Sequence, residues 1–379
     1  MLRIGWWALH LGCAVAFGIL FITAVRLSAG PLNDADSAGG YHWRAALALR
    51  DAHALIDPSF HKRAQVPTGY PCTWEFLAGQ LWRLAPHSDP PRLLNLLAWL
   101  LLGYATWRLA VLLRAGVFAA PAALLLLATP MVLQQTGGIA TDVPMTAFLV
   151  AALLCALRLR QTSQPRYLLA GILSLAMAPA IKGSGLVYGV LALGPLLYAA
   201  SRRRDAGSVR VSLCALPAAL VIAGCWYVRN WIFLGKPVAV PNQPSSLLQL
   251  FNPSSSQDWR LLWHSFIWAL GYPGLLLVGL ALVAVGWTLI AGSVRDRRYA
   301  LTAIAVLAVL FGLYVVSPYS ASNRMAGYRL TDWFTPTVVR LAMPFLAIAA
   351  VTAAVAWGHL CPWSRFSPAG TAADGQPNR

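Results

Sequence analysis

Charged residues are scarce in this 379-residue chain: Asp, Glu, Lys and Arg make up 11% of it, against 58% hydrophobic residues. Soluble domains carry roughly a quarter charged residues. Acids are rarer than bases, twelve against 29, and glutamate occurs only once, as Glu75. With a mean hydropathy of +0.62, this composition excludes an ordinary soluble domain. The net charge of +17 does not indicate a nucleic-acid partner, because much of it lies in short connections between apolar runs.

Cysteine and internal repeats are also lacking. Of the six cysteines, Cys72 is the only one predicted to face outward, so no outer disulfide is expected within the chain. We find no internal repeat, which disfavours the secondary transporters that are built from repeated halves.

The apolar runs predict an all-α integral membrane protein with about ten transmembrane helices. Runs of roughly 17 to 25 residues match the ~30 Å hydrocarbon thickness of a bilayer. We place them at Ile4–Leu27, Leu93–Leu113, Val117–Leu133, Pro144–Leu157, Tyr167–Ile181, Gly183–Ala200, Val211–Leu234, Phe266–Ala291, Tyr299–Ser317 and Leu341–Leu360. The first run has no clear small-residue cleavage site, which predicts a retained signal anchor.

Arginines in the short connections predict the orientation. Basic connections occur at Arg158–Arg166, Arg202–Arg210 and Arg295–Arg298, together with Arg114. The positive-inside rule places them in the cytoplasm with both termini. Residues 28–92, 235–262 and 318–340 then form outer loops of one domain spanning residues 1–360, and residues 361–379 form a cytoplasmic, disordered tail. The preference for arginine over lysine suggests a GC-rich bacterium, and hence its inner membrane.

The first outer loop, residues 28–92, holds about half of the acids and two predicted amphipathic helices. Apolar residues recur at helical spacing from Trp74 to Leu84, and a second helix is predicted over Tyr41–Leu55. Both would lie in the membrane interface. The alternative is that they are ordinary helices packed on the bundle.

Asp34 and Asp36 follow the first span in the segment NDADSAGGYHW. Two carboxylates this close can chelate a divalent cation, or one can act as a base while the other tunes its pKa. The alternative is a helix N-cap. His42 is interpreted as a polar interfacial residue rather than a metal ligand.

Two further acids have both a functional and a structural interpretation. Glu75 would help Asp36 to shape an acidic pocket or to hold a metal ion, or it would simply favour the start of its helix. Asp142 precedes Val-Pro at the outer end of the fourth span. It would orient an acceptor or a metal, or it would cap that helix.

Cations near the outer leaflet predict a phosphate-binding pocket. Lys182, one of three lysines, interrupts the apolar segment APAIKGSG, and Arg229 lies in an aromatic part of the seventh span. A cation at this depth is costly unless an anion meets it. Snorkelling to the headgroups is the alternative. Arg324, Arg329 and Arg340 would join them, and cations next to carboxylates at a bilayer surface favour a lipid phosphate as ligand.

The order of these motifs resembles the GT-C polytopic glycosyltransferases, particularly the protein O-mannosyltransferase and lipid A aminoarabinose transferase (PMT-like) families. The resemblance covers about the first 240 residues, with a weaker match near VVRLAMPF. The matching segments, in order, are NDADSAGGYHW, GYPCTWEF, TDVPMTAF, APAIKGSG and YVRNWIFLGKPV.

The resemblance implies that Asp36 or Asp34 is the general base or supports it. The usual spacing from this Asp to the following Tyr is about four, whereas Tyr41 lies five residues after Asp36 and seven after Asp34, so both stay candidates. Tyr41, His42, Tyr70, Glu75, Asp142 and Asn230 are expected to contact substrate or to orient it. A Gly-Lys-Pro at 235–237 replaces the family's Gly-Asn-Pro, which puts acceptor or headgroup contacts there in doubt.

The sequence thus predicts an inverting membrane glycosyltransferase that uses a polyprenyl-phosphate-linked sugar and an acceptor lipid, glycan or protein on the outer face. Lys182, Arg229 and Arg340 would hold the donor phosphate. No cofactor is required by this mechanism, and a divalent metal ion on Asp34, Asp36 and Glu75 is left open. The alternatives are a surface-polysaccharide polymerase or ligase, a non-catalytic scaffold, and a transporter or flippase of an anionic polyprenyl-linked lipid.

Overall fold

The computed structural model describes residues 2–30, 41–66, 70–86, 89–202, 206–237, 256–316 and 342–360, and these parts contain helices and no strand. The α-helices are α1 Leu2–Ala29, α2 Tyr41–Ala48, α3 Phe60–Arg63, α4 Thr73–Leu84, α5 Pro90–Leu112, α6 Ala119–Ala128, α7 Pro130–Leu133, α8 Asp142–Thr162, α9 Pro165–Ile181, α10 Ser184–Ser201, α11 Ala206–Leu234, α12 Ser256–Ala291, α13 Val294–Val316 and α14 Met343–Leu360. Short 3₁₀ turns cover Ala52–Leu55, Gly116–Phe118 and Gln134–Gly137. The predicted all-α membrane fold is confirmed.

Seven of the described helices are long and apolar enough to cross a membrane. An eighth span is formed if the bent pair Gly116–Ala128 and Pro130–Gly137 counts as one, and α9 is a shorter apolar helix. The chain is therefore a multi-pass membrane protein. Within the described residues, all ten predicted spans fall on helical segments, although α12 begins at Ser256, ten residues before the predicted start. The count of about ten spans stays a prediction.

Helices α8 and α14 form the centre of the bundle, and α1 lies at its edge. About 70% of the apolar stretch of α14 and 67% of that of α8 is buried, against 6% for α1. Small residues make this packing close: a Cβ on Gly358 of α14 would lie 2.8 Å from Ala115 backbone atoms. Small residues at helix contacts are typical of membrane bundles, because close approach maximises dispersion contacts.

One candidate span, formed by α6 and α7, is broken. Helices α6 and α7 meet at Thr129–Pro130 with a bend of 70°, because Pro130 has no N–H to continue the ladder and starts α7 at its first position. Gly271, with φ +55°, kinks α12 against the Pro130 ring. A Cβ there would lie 2.7 Å from that ring, so glycine is required at this contact.

The first-loop helices differ in part from the prediction. Helix α4 is present, but Tyr41–Leu55 is not one helix, since it divides into α2 and the 3₁₀ turn at Ala52–Leu55. Trp74 of α4 is buried and its Nε1 donates to Asn95 Oδ1 of α5 at 2.7 Å. This face of α4 therefore packs on the bundle, as in the alternative interpretation.

The first-loop helices and the basic connections occupy opposite ends of the bundle. Helix α8 begins at Asp142, beside Tyr70 of the first loop, and ends at Thr162 in the basic connection. Its 21 residues span ~31 Å at 1.5 Å per residue, about the thickness of the hydrocarbon. The first loop therefore lies at one end of the bundle, and the basic connection after α8 lies at the other.

Candidate functional site

A buried ion pair joins the start of α8 to the end of α9. Lys182 Nζ donates to Asp142 Oδ1; the Asp142 side chain is 1% exposed and that of Lys182 is 12% exposed. Lys182 follows the last residue of α9 in an extended conformation, which turns its side chain toward α8. Asp142 does more than start its helix, because its carboxylate supplies the anion that a cation at this depth requires.

A second set of hydrogen bonds fixes the ion pair on the broken span. The Gln135 amide lies 3.4 Å from Asp142 Oδ2, and its Oε1 accepts from Val143 N at 3.0 Å. Asn95 Nδ2 donates to the carbonyls of Gln135 and Ala140 at 2.8 and 2.9 Å. Polar backbone groups of the irregular segment after Pro130 are thereby hydrogen-bonded within the protein, which is necessary because hydrocarbon offers them no partner.

A second buried acid–base pair joins the two first-loop helices. His42 Nδ1 of α2 hydrogen-bonds to Glu75 Oε1 of α4, and both side chains are buried, Glu75 completely. The other Glu75 oxygen, Oε2, has no hydrogen-bond partner among the described residues. Gly79 makes the pairing possible, because a Cβ there would lie 2.5 Å from the Ala46 carbonyl of α2.

Two tyrosines connect these pairs. The Tyr41 and Tyr70 rings lie 5.2 Å apart, and the His42 ring is 5.7 Å from that of Tyr70. Tyr70 Oη lies 2.9 Å from Thr141 Oγ1, next to Asp142. Burial, and then the charge of Glu75, raises the pKa of the Tyr41 hydroxyl well above its usual range, and Asp142 contributes in the same direction. Both tyrosines therefore stay neutral, able to donate or accept a hydrogen bond beside two acids.

Arg229 and Asn230 lie on α11, and both side chains contact the first loop. Arg229 Nε and Nη2 donate to the carbonyls of Leu55 and Asp57, each at 2.6 Å. Asn230 Oδ1 lies 3.0 Å from His61 Nε2. Burial lowers the pKa of His61, which keeps the imidazole neutral next to Arg229.

The structure thus brings together eight of the predicted site residues in two groups. Tyr41, His42, Tyr70, Glu75, Asp142 and Lys182 form one continuous cluster, and Arg229 with Asn230 pins the loop beside it. Asp34, Asp36 and Arg340, like Arg324 and Arg329, lie outside the described residues. Their predicted roles stay predictions.

A metal ion is not supported by the side chains that the structure describes. Within those ranges no group of three or more His, Cys, Asp or Glu side chains could hold one. Glu75 offers one free oxygen, and its predicted co-ligands Asp34 and Asp36 are not among the described residues. No step of the chemistry below is routed through a metal.

Sequence analysis missed Gln135, Thr141, Asn95 and His61. The first two lie in QQTGGIATD, a polar stretch beside an apolar run, and this interruption was the available signal. Asn95 and His61 gave no such signal, because their partners are 21 or more residues away in the chain.

Part of the chain is similar to a known family. Residues 83–228 match the family model for dolichyl-phosphate-mannose-protein mannosyltransferases, a range that includes Asp142 and Lys182 and ends just before Arg229. With the all-helical bundle, this match confirms the resemblance of the chain to the PMT-like GT-C families. None of the curated proteins matches the chain.

One solved structure shares the fold, and a second is less similar. The crystal structure of ArnT from Cupriavidus metallidurans bound to undecaprenyl phosphate superposes with a TM-score of 0.51 at 19% identity, over 92% of this chain. The same enzyme in the apo state gives 0.42 at 17% identity, over 95% of this chain and 78% of that one. This chain spans 60% of the length of the undecaprenyl-phosphate-bound ArnT.

Proposed function

We propose that the protein is a membrane glycosyltransferase that transfers a sugar from a polyprenyl-phosphate-linked donor to an acceptor on the extracytoplasmic face of the bacterial inner membrane. The buried Lys182–Asp142 pair carries this proposal, because it places one cation beside carboxylates and neutral tyrosines at the acid-rich end of the bundle. The matched mannosyltransferase family and the ArnT fold, solved with undecaprenyl phosphate, support the class of donor.

The reaction would be a single inverting displacement. The acceptor hydroxyl oxygen attacks the anomeric carbon as the bond from that carbon to the phosphate oxygen breaks. The bonding electrons leave with the phosphate, and the hydroxyl proton passes to Asp36 or Asp34. The products are the glycosylated acceptor and a polyprenyl phosphate with one more negative charge than the donor.

Lys182 is the residue of the described cluster suited to that developing charge. Its ammonium is already oriented by Asp142, so it needs no reorganisation as the charge forms. Tyr41 and Tyr70 would hydrogen-bond sugar or acceptor hydroxyls, since both hydroxyls remain protonated. Glu75 and His42 would orient this pair. Arg340 remains a candidate for a further contact with the phosphate.

The test is glycosyl transfer from radiolabelled polyprenyl-phosphate sugar by membranes that contain matched amounts of each variant. We expect either Asp34→Asn or Asp36→Asn to lower the transfer rate by about 10²-fold or more, with donor binding retained, since general bases contribute 10²–10⁴. The exposed Asp51 supplies the control Asp51→Asn, which should transfer normally. Normal transfer by both variants contradicts the assigned base. Movement of intact lipid by the wild type, without transfer, favours the flippase instead.

A further inference from the structure

Arg229 presents its nitrogen atoms to protein groups. Guanidinium binds phosphate best through two parallel N–H bonds from one edge. Here the Nε–Nη2 edge is taken by the carbonyls of Leu55 and Asp57, at 2.6 Å each, and Nη1 lies 3.4 Å from Asn230 Oδ1. The edge that would suit a donor phosphate is therefore engaged by the backbone of the first loop.

The faces of the same guanidinium are covered by aromatic rings. Its central carbon lies 5.3 to 5.4 Å from the ring centroids of Phe60, Trp226 and Phe233, and the residue is 7% exposed. Cation–π contacts of this kind stabilise a desolvated arginine in place. Arg229 is enclosed by α11 and the first loop rather than open to the bilayer surface.

Asn230 makes a second attachment to the same segment. It is fully buried, and its Oδ1 lies 3.0 Å from His61 Nε2 of α3. Trp226, one turn earlier on α11, packs in a core cluster with first-loop residues that include Phe60 and Cys72. Three neighbouring positions of α11 thus hold residues 55–61 of the loop.

This attachment lies next to the catalytic cluster. Tyr41 and Tyr70 pack against the same core cluster that contains Trp226 and Phe60. A shift of the loop on α11 would therefore move both tyrosines relative to Lys182 and Asp142. Displacements of about 1 Å can cost roughly 10²-fold in rate.

We infer that Arg229 and Asn230 are positioning residues that fasten residues 55–61 of the first loop to α11, and that they act on glycosyl transfer through the placement of Tyr41 and Tyr70 rather than by binding the donor phosphate. The effect on glycosyl transfer rests on the proposed function, whereas the attachment of the loop to α11 does not depend on it.

Tryptic cleavage of the full-length protein in detergent, without donor, tests the attachment. Lys62 and Arg63 are exposed on α3 directly after the fastened residues, and cleavage there requires the loop to open. Arg229→Lys keeps the charge but cannot reach two carbonyls from one planar edge. We expect it to speed cleavage at Lys62 and Arg63 by about tenfold or more, since a hydrogen bond to a charged group contributes ~1.5–3 kcal/mol. Asn230→Ala loses a neutral hydrogen bond to His61 and should speed the same cleavage by about fivefold.

Two controls separate loop opening from global unfolding. Arg210→Lys changes an exposed arginine on the same helix and should be cleaved at Lys62 and Arg63 at the wild-type rate. In the Arg229 and Asn230 variants, cleavage at other arginines should stay unchanged. Wild-type cleavage by Arg229→Lys overturns the proposed attachment.

Kinetics test the second half of the proposal. For Arg229→Lys we expect kcat to fall by about tenfold or more while the donor KM changes less than about threefold, because an interaction made through position lowers kcat. A rise in donor KM with unchanged kcat and unchanged cleavage assigns Arg229 to the phosphate and overturns the inference. If the wild type transfers no sugar, the proposed function fails, whereas the cleavage result still decides the attachment.

Discussion

At the scale of single residues, Lys182 and Asp142 each lower the free-energy cost of burying the other's charge. Each side chain is buried or nearly so, and each neutralises the other. Removing one partner leaves an unpaired charge in a site of low dielectric, whereas removing both leaves none. Stability and activity should therefore respond differently to the same substitutions.

This difference gives a testable prediction. Lys182→Gln alone should lower the free energy of unfolding by about 3–5 kcal/mol, and the double variant Asp142→Asn/Lys182→Gln should recover much of that loss. Both should lack transfer activity. Thermal unfolding in detergent, combined with the transfer assay, measures the cycle. Additive losses would contradict an energetic coupling between the two charges.

The sequence predicted part of this cluster, and the reason lies in the cost of a buried charge. Lys182 in an apolar run predicted a nearby anion, and Asp142 lay in a neighbouring motif. The pairing of the two could not be predicted, because they are 40 residues apart in the chain. The partnership of His42 with Glu75, 33 residues apart, depends on the packing of α2 on α4. The partners of Arg229 are backbone carbonyls, whose positions depend on the path of the loop and cannot be predicted from the types of its side chains.

At the scale of elements, Gly79 controls how closely α2 and α4 approach. A Cβ at this position would lie 2.5 Å from the Ala46 carbonyl and 2.9 Å from the Leu49 backbone, and backbone atoms cannot rotate away. The His42–Glu75 pair bridges the same two helices. Separation of the helices would therefore strain the pair.

We expect Gly79→Ala to destabilise the protein by about 1–3 kcal/mol, as overpacking does in a close contact. Gly279 of α12 is a matched control, since nothing lies within 4 Å of its Cβ position. Gly279→Ala should be neutral or stabilising, by up to ~1 kcal/mol, because alanine favours the helix. Thermal unfolding of the two variants side by side checks this, and equal melting temperatures would refute the tight contact.

The helices themselves were more predictable than their junctions. The thickness of the hydrocarbon fixes the length of a span, so the apolar runs matched helical segments closely. The break at Pro130 and the kink at Gly271 were not predicted, because each is decided by the contact between α7 and α12. The division of Tyr41–Leu55 was missed because the apolar spacing continues across it.

At the scale of the whole molecule, the position of the basic connections at the end opposite the first loop predicts the orientation. Ala52 of the first loop and Gln161 at the far end of α8 are both exposed. In intact cells, a membrane-impermeant thiol reagent should label Ala52→Cys and not Gln161→Cys, and permeabilised cells should label both. Both variants are made in a protein whose native cysteines have been substituted, so that only the introduced cysteine can be labelled. Labelling of Gln161→Cys alone in intact cells would reverse the orientation and place the cluster on the cytoplasmic side.

The attachment of α1 has a mechanical consequence. The helix is scarcely buried along its length, yet its last turn is held: Arg92 Nη1 donates to the carbonyls of Ser28, at 2.9 Å, and Gly30. Gly137 lies so close that a Cβ there would be 3.0 Å from the Leu27 carbonyl. The helix is therefore held to the bundle at its C-terminal end and makes few contacts along the rest of its length. Tilting of that length would displace Gly30 little, so the segment that carries Asp34 and Asp36 begins from a position that Arg92 holds.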